Sequence, residues 1–153
     1  AVDHRERDEQ VAVDHREREE RRRTCMVCMD DFDGEMGVVC GDGAARPPHA
    51  MCDGCFSREV VTQTGGEEIG FFKRSGLRIR CRACAPRESF FAVGDLTKHL
   101  DEEAFCAFVK AREDVKVGEA MQEQHERHRA QVVELEKQLA AVQAGLAGVA
   151  LGH

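Results

Sequence analysis

A small α+β domain stapled by metal, followed by a packed helix and a C-terminal coiled-coil helix, is the fold class this sequence predicts. Three observations carry it. Cysteines recur in closely spaced pairs through the middle of the chain. Only 5% of the 153 residues are aromatic while 33% are charged. Apolar residues near the C-terminus recur three and four positions apart. With so little aromatic material a large conventional core is not expected. Tyr and Trp are absent, and every Phe except Phe32 falls between Phe56 and Phe108, so the packable residues lie centrally.

The formal net charge of −7 argues against general binding to nucleic acid or to an anionic membrane surface. If seven thiolates hold two divalent ions, the balance moves to about −10. No stretch approaches the roughly 20 apolar residues that cross a bilayer, and no apolar leader core opens the sequence. The expectation is an intracellular chain, cytoplasmic or nuclear, not bound to membrane. In a reducing compartment, metal accounts for eight cysteines better than disulfides do.

The chain begins with a repeat: AVDHRERDE from Ala1 returns as AVDHREREE from Ala12, followed by Arg21, Arg22 and Arg23. Eleven residues make close to three helical turns, which puts Val2 and Val13 on one face. One valine per three turns cannot drive packing. Residues 1–23 therefore read as a solvated charged helix or a low-complexity linker.

Residues 24–94 hold seven cysteines, an adjacent proline pair and many glycines, a loop-rich composition in which metal rather than apolar burial is expected to hold the parts. Within it, residues 37–39 and 77–79 are candidate strands and 53–62 a candidate short helix. Residues 95–117 turn helical. Asp101 is placed to cap, Glu102 and Glu103 suit the first turn, and Phe105, Phe108 and Val109 form a face expected to pack back on the preceding domain.

Gly118 interrupts this pattern. Beyond it, in residues 118–153, Val132, Leu135, Leu139, Val142, Leu146 and Val149 follow the a and d positions of a heptad. Extended backwards, the frame puts Met121, His125 and His128 on the same seam. A homodimer through residues 121–149 is one reading; a single amphipathic helix packed on its own domain is the other.

The spacing that carries chemistry is Cys25-x-x-Cys28, Cys40, His49-x-x-Cys52-x-x-Cys55 and Cys81-x-x-Cys84. A C-x-x-C turn places two sulfurs at two corners of a zinc tetrahedron, and eight such donors complete two closed, structural sites. In this order the chain resembles the RING finger family over residues 25–84. The resemblance implies a cross-braced finger with two Zn2+, one on Cys25, Cys28, Cys52 and Cys55 and the other on Cys40, His49, Cys81 and Cys84. Residues 41–48 make the gap between Cys40 and His49 longer than the family spacing, which leaves Asp42 as an alternative ligand.

The resemblance further implies a ubiquitin-protein ligase that brings a ubiquitin-loaded conjugating enzyme to a protein substrate. Its contact residues would be Met26 and Val27 in the first pair, with Pro86 and Arg87 after the last. The sequence departs from the family here. Cys81-Arg82-Ala83-Cys84 lacks the internal Pro, Ala85 stands where an activating cation commonly follows the last ligand, and Phe71, Phe72 or Leu77 must replace a Trp anchor. The alternative function is a non-catalytic interaction or dimerisation scaffold on the same finger.

Six basic residues, Lys73, Arg74, Arg78, Arg80, Arg82 and Arg87, run without an acid among them. Three readings stand: cations offsetting the negative zinc–thiolate sites, which the acidic whole favours, a nucleic-acid contact, or a contact with an acidic partner. Cys106, outside the ligand pattern and between two Phe, is expected to be a buried, inert thiol.

Overall fold

The computed structural model describes residues 4–41 and 48–150. Two compact units divide it, residues 1–112 and 113–153. The first opens with α1 (His4–Arg21), whose described side chains are all exposed. Alternating Arg and Glu hold such a helix in water without a packing face. Val2 lies outside the described residues.

Two antiparallel hairpins follow. In the first, β1 (Arg22–Thr24) pairs with β2 (Asp31–Asp33), with Arg22 opposite Asp33 and Arg23 opposite Phe32. Arg21 and Arg22 are ion-paired to Glu35 and Asp31 at 3.2 and 3.8 Å. In the second, β3 (Gly37–Val39) pairs with β4 (Ala50–Cys52). Gly37 is required by close approach, since a Cβ there would collide with the Phe32 ring and the Met51 carbonyl.

The helix α2 (Asp53–Gln63) follows directly on Cys52 and matches the expected position. One short piece was not foreseen, α3 (Ile69–Arg74), and the helical stretch expected over 95–117 divides, its first part forming the separate α4 (Val93–His99). Residues 77–79 are not a strand. Gly76 and Leu77 have φ of 73° and 63°, and the Leu77 N–H bonds Phe72 O at 2.9 Å, which closes the end of α3. Extended pairing begins one step later, where Arg80 bridges Phe90.

These elements enclose a real apolar core. Phe56, Phe72, Met51, Ile79 and Val60 are fully buried, joined by Phe91, Leu96 and Phe108. Phe56 packs edge-on against Phe91 at 5.1 Å and Phe72 against Phe108 at 5.8 Å. Burying each ring stabilises by roughly 1.5–3 kcal/mol, so apolar burial contributes substantially to holding this unit, contrary to the composition argument.

The long helix α5 (Glu102–Ala150) is capped as expected, with the Ala104 N–H donating to Asp101 Oδ1 at 2.8 Å. Its buried positions in the first unit are Ala104, Phe108 and Ala111, spaced i, i+4, i+7. Phe105 and Val109 flank that stripe and remain 38% and 37% exposed. Cys106 stands about 200° round the helix from Ala104 and is exposed, which corrects the buried-thiol reading. The helix also runs straight through Gly118. One glycine costs about 1 kcal/mol against Ala, less than stopping and renucleating a helix among good formers.

The second unit is the rest of α5. Its described side chains are exposed apart from Val115, the seam residues included. Among the described residues no helix is long and apolar enough to cross a membrane.

Candidate metal centre

Each cysteine pair is positioned by the local fold. Cys25 and Cys28 lie in the turn joining β1 to β2, closed by the Met29 N–H to Cys25 O bond at 3.0 Å and the Cys25 N–H to Asp30 O bond at 2.9 Å. Met29 takes φ 65° to complete that turn. Cys52 ends β4 and Cys55 sits in the first turn of α2, three residues on and on the same side. The Met26 N–H donates to Ala50 O at 2.9 Å, lashing the first turn to β4.

Cys40 and His49 face each other across the foot of the second hairpin, where the Cys40 N–H donates to His49 O at 2.9 Å. The ladder fixes both ends of the connection, so its length does not set the ligand positions. Asp42, the alternative ligand, lies outside the described residues. Cys81 is held by its N–H to Ser89 O at 2.8 Å, and a short 3-10 turn, Arg82–Cys84, brings Cys84 back beside it.

The side chains gather into two groups: Cys25, Cys28, Cys52 and Cys55, and Cys40, His49, Cys81 and Cys84. Within each, the donor atoms all lie within 4.8 Å of one another. A tetrahedron with zinc–sulfur arms of about 2.3 Å has corners roughly 3.8 Å apart. Cys28 and Cys52 sulfurs are 3.9 Å apart, and Cys40 and Cys84 sulfurs 3.6 Å. His49 Nδ1 stands 3.2, 3.6 and 3.8 Å from Cys84, Cys81 and Cys40. Each group could hold a metal ion, and the sulfur-rich donor set and its spacing are compatible with two zinc ions.

The electrostatics agree with that. Burial raises Cys25, but backbone N–H groups around it outweigh burial and bring it down to about 6. A backbone bond near Asp30 favours the Cys28 thiolate, yet burial and the crowding of Cys25, Cys55 and Cys52 push it up to about 12. Burial, then the nearness of Cys84 and Cys40, pushes Cys81 up to about 12 as well. Four sulfurs this close cannot all ionise alone; a divalent cation reverses that balance.

Three cations of residues 73–87 are engaged by carboxylates and rings. Arg80 is ion-paired to Glu68 at 3.1 Å and lies over the Phe71 ring at 4.0 Å, Arg82 is bonded to Glu59 and Glu68, and Arg78 stacks on Phe90 at 3.9 Å. A cation that does face a sulfur is Arg58, whose guanidinium donates to Cys55 Sγ at 3.2 Å. Sequence reasoning missed it, although its place one turn after Cys55 on a predicted helix was a usable signal.

Of the expected contact residues, Val27 is 55% exposed and Met26 half-buried. Both line a shallow depression of about 190 Å³ with Met51, Glu59, Arg82 and Ala83. Pro86 and Arg87 line a second depression of about 340 Å³, beside Phe71 and Arg80. The two share Arg82 at their edges. No protein-family model, curated protein or solved structure matches this chain.

Proposed function

We propose that this chain is a RING-type ubiquitin-protein ligase: a cross-braced finger on two zinc ions that docks a ubiquitin-loaded conjugating enzyme and promotes transfer to a protein substrate. The observation that carries the reading is the alternation of the two groups along the chain. Cys25 and Cys28 join Cys52 and Cys55, while Cys40 and His49 between them join Cys81 and Cys84.

Bound zinc supplies closure of the sulfur sets and hence rigidity. The chain's own residues do the rest. Two stapled turns hold Met26 and Val27 on one and Ala83 on the other around one apolar depression. A conjugating enzyme seated there brings its own thioester, and the finger contributes alignment, not a nucleophile or base. Among the described residues no additional cluster of metal-ligand type accompanies the two groups.

The second reading is a scaffold that binds a partner without accelerating transfer. Ala85 favours it, because the position directly after Cys84 carries no cation, and Arg82 is already committed to Glu59 and Glu68.

The test is discharge of ubiquitin from a panel of loaded conjugating enzymes to free lysine, with wild type and Val27→Ala. Val27 is exposed, so the substitution leaves the core intact. Acceleration by wild type, reduced about tenfold or more in the folded variant, is the ligase result. No acceleration with any enzyme, at full zinc occupancy, leaves the scaffold.

A further inference from the structure

The apolar seam of α5 has a register that its charges select. Met121, Val132, Leu135, Leu139, Val142 and Leu146 are all exposed, Met121 and Leu146 at 65% and 66%. They continue through His125 and His128 as one stripe of a and d positions on an uninterrupted helix. A stripe of between three and four heptads is long enough for a coiled coil. It needs an occupant.

The flanking positions name one. In this frame the e positions are Gln122, Arg129, Glu136 and Gln143, and the g positions include Gln124, Gln131 and Gln138. Arg129 and Glu136 are thus the charged residues beside the seam. Both are exposed, and neither forms an ion pair among the described residues.

A parallel, in-register pair sets each e residue against a g residue of its partner. Arg129 and Glu136 would then meet only glutamines, His125 would meet His125, and His128 would meet His128. An antiparallel pair instead sets e against e. Shifted one way by a heptad, it opposes Glu136 to Glu136; shifted the other way, Arg129 to Arg129. In the register between, Arg129 meets Glu136 twice by symmetry.

That register also repairs the seam. Val132 lies against Leu135, His128 against Leu139, His125 against Val142 and Met121 against Leu146. Each weak position receives a strong apolar partner, and no histidine faces a histidine.

We propose that two copies of this chain associate through α5 as an antiparallel coiled coil, with the two-fold axis passing between Val133 and Glu134. The interface is isologous and closes at two chains. Its ends lie about 40 Å apart along the axis.

The experiment is sedimentation equilibrium of the full zinc-loaded chain at low salt, for wild type, Arg129→Glu, Glu136→Arg and the double exchange. Arg129 and Glu136 are exposed helix residues, so folding is not at stake, and circular dichroism checks it. A wild-type dimer is expected, each single exchange weakening it by about tenfold and the double exchange restoring it. In parallel, a photo-crosslinker replacing Met121 should capture the partner around Leu146. A monomer at tens of micromolar, single exchanges without effect, or capture around position 121 of the partner would each overturn the proposal. A monomer that binds a different protein through this face counts among those outcomes. None of this depends on ligase activity, which the discharge assay reads separately.

Discussion

Gln63 shows how a single buried polar side chain can take the place of a strand. It is 2% exposed, its carbonyl accepts from the Arg80 N–H at 2.9 Å, and its amide donates to Arg80 O at 2.9 Å and Glu59 Oε1 at 2.7 Å. The side chain thereby pins α2 to the segment that carries Cys81. Replacing it with Leu fills the space but leaves both backbone groups of Arg80 unpaired, a cost of about 2–4 kcal/mol. Thermal unfolding of zinc-loaded Gln63→Leu should show a clearly lowered midpoint; an unchanged midpoint would mean that water replaces the amide. Nothing in the local sequence announces Gln63, because its partner lies across the fold. Arg58 is the opposite case, one turn from a ligand on a helix the sequence does predict. Cys106 was misread for a related reason: its Phe neighbours at 105 and 108 suggested burial, but the inward stripe is set by Ala104, Phe108 and Ala111.

At the scale of elements, spacing proved most informative where chemistry fixes it. The gathering of the eight candidate donors into two groups, β3 and α2 were legible because a hairpin and a helix start are the short devices that bring such pairs together. What was not legible depends on tertiary partners. The small helix α3 has too few apolar positions to show a period, and the left-handed Gly76 and Leu77 hide a helix stop inside what looked like a strand. Gly118 looked like a boundary and is helix interior, since one weak residue does not outweigh its neighbours. The hairpin of β3 and β4 also yields a prediction about the long gap. Its ladder carries on through Cys40 N–H to His49 O, which sets His49 Nδ1 among three sulfurs however long the connection is. His49→Ala should therefore lower zinc content from two to about one per chain, while Asp42→Ala keeps two. Atomic absorption on the dialysed proteins reads this directly; the reverse pattern would give the fourth position to Asp42.

The whole molecule divides by what stabilises each part. All eight candidate donors fall in residues 25–84, inside the first unit, and the described residues of the second unit hold no such group. Zinc held by the two groups would contribute its binding free energy to folding, because the sulfurs would bind as thiolates and are arranged only in the folded state. Protons compete for those thiolates, so the loaded finger is stable at neutral and higher pH and loses stability as pH falls. A chelator should act in the same direction. Added at neutral pH, it is expected to remove two zinc ions per chain and expose backbone amides of β1 to β4, α2 and the segment around Cys81 to exchange. Phe56, Phe72 and Phe91 pack among the ligand-bearing elements and should loosen with them. Residues 113–150 carry neither ligand nor shared core aromatic, and their helix is expected to keep its protection. Hydrogen exchange read by mass spectrometry, with and without chelator, distinguishes this from a single cooperative fold: protection lost evenly from both units would show that the long helix also depends on metal.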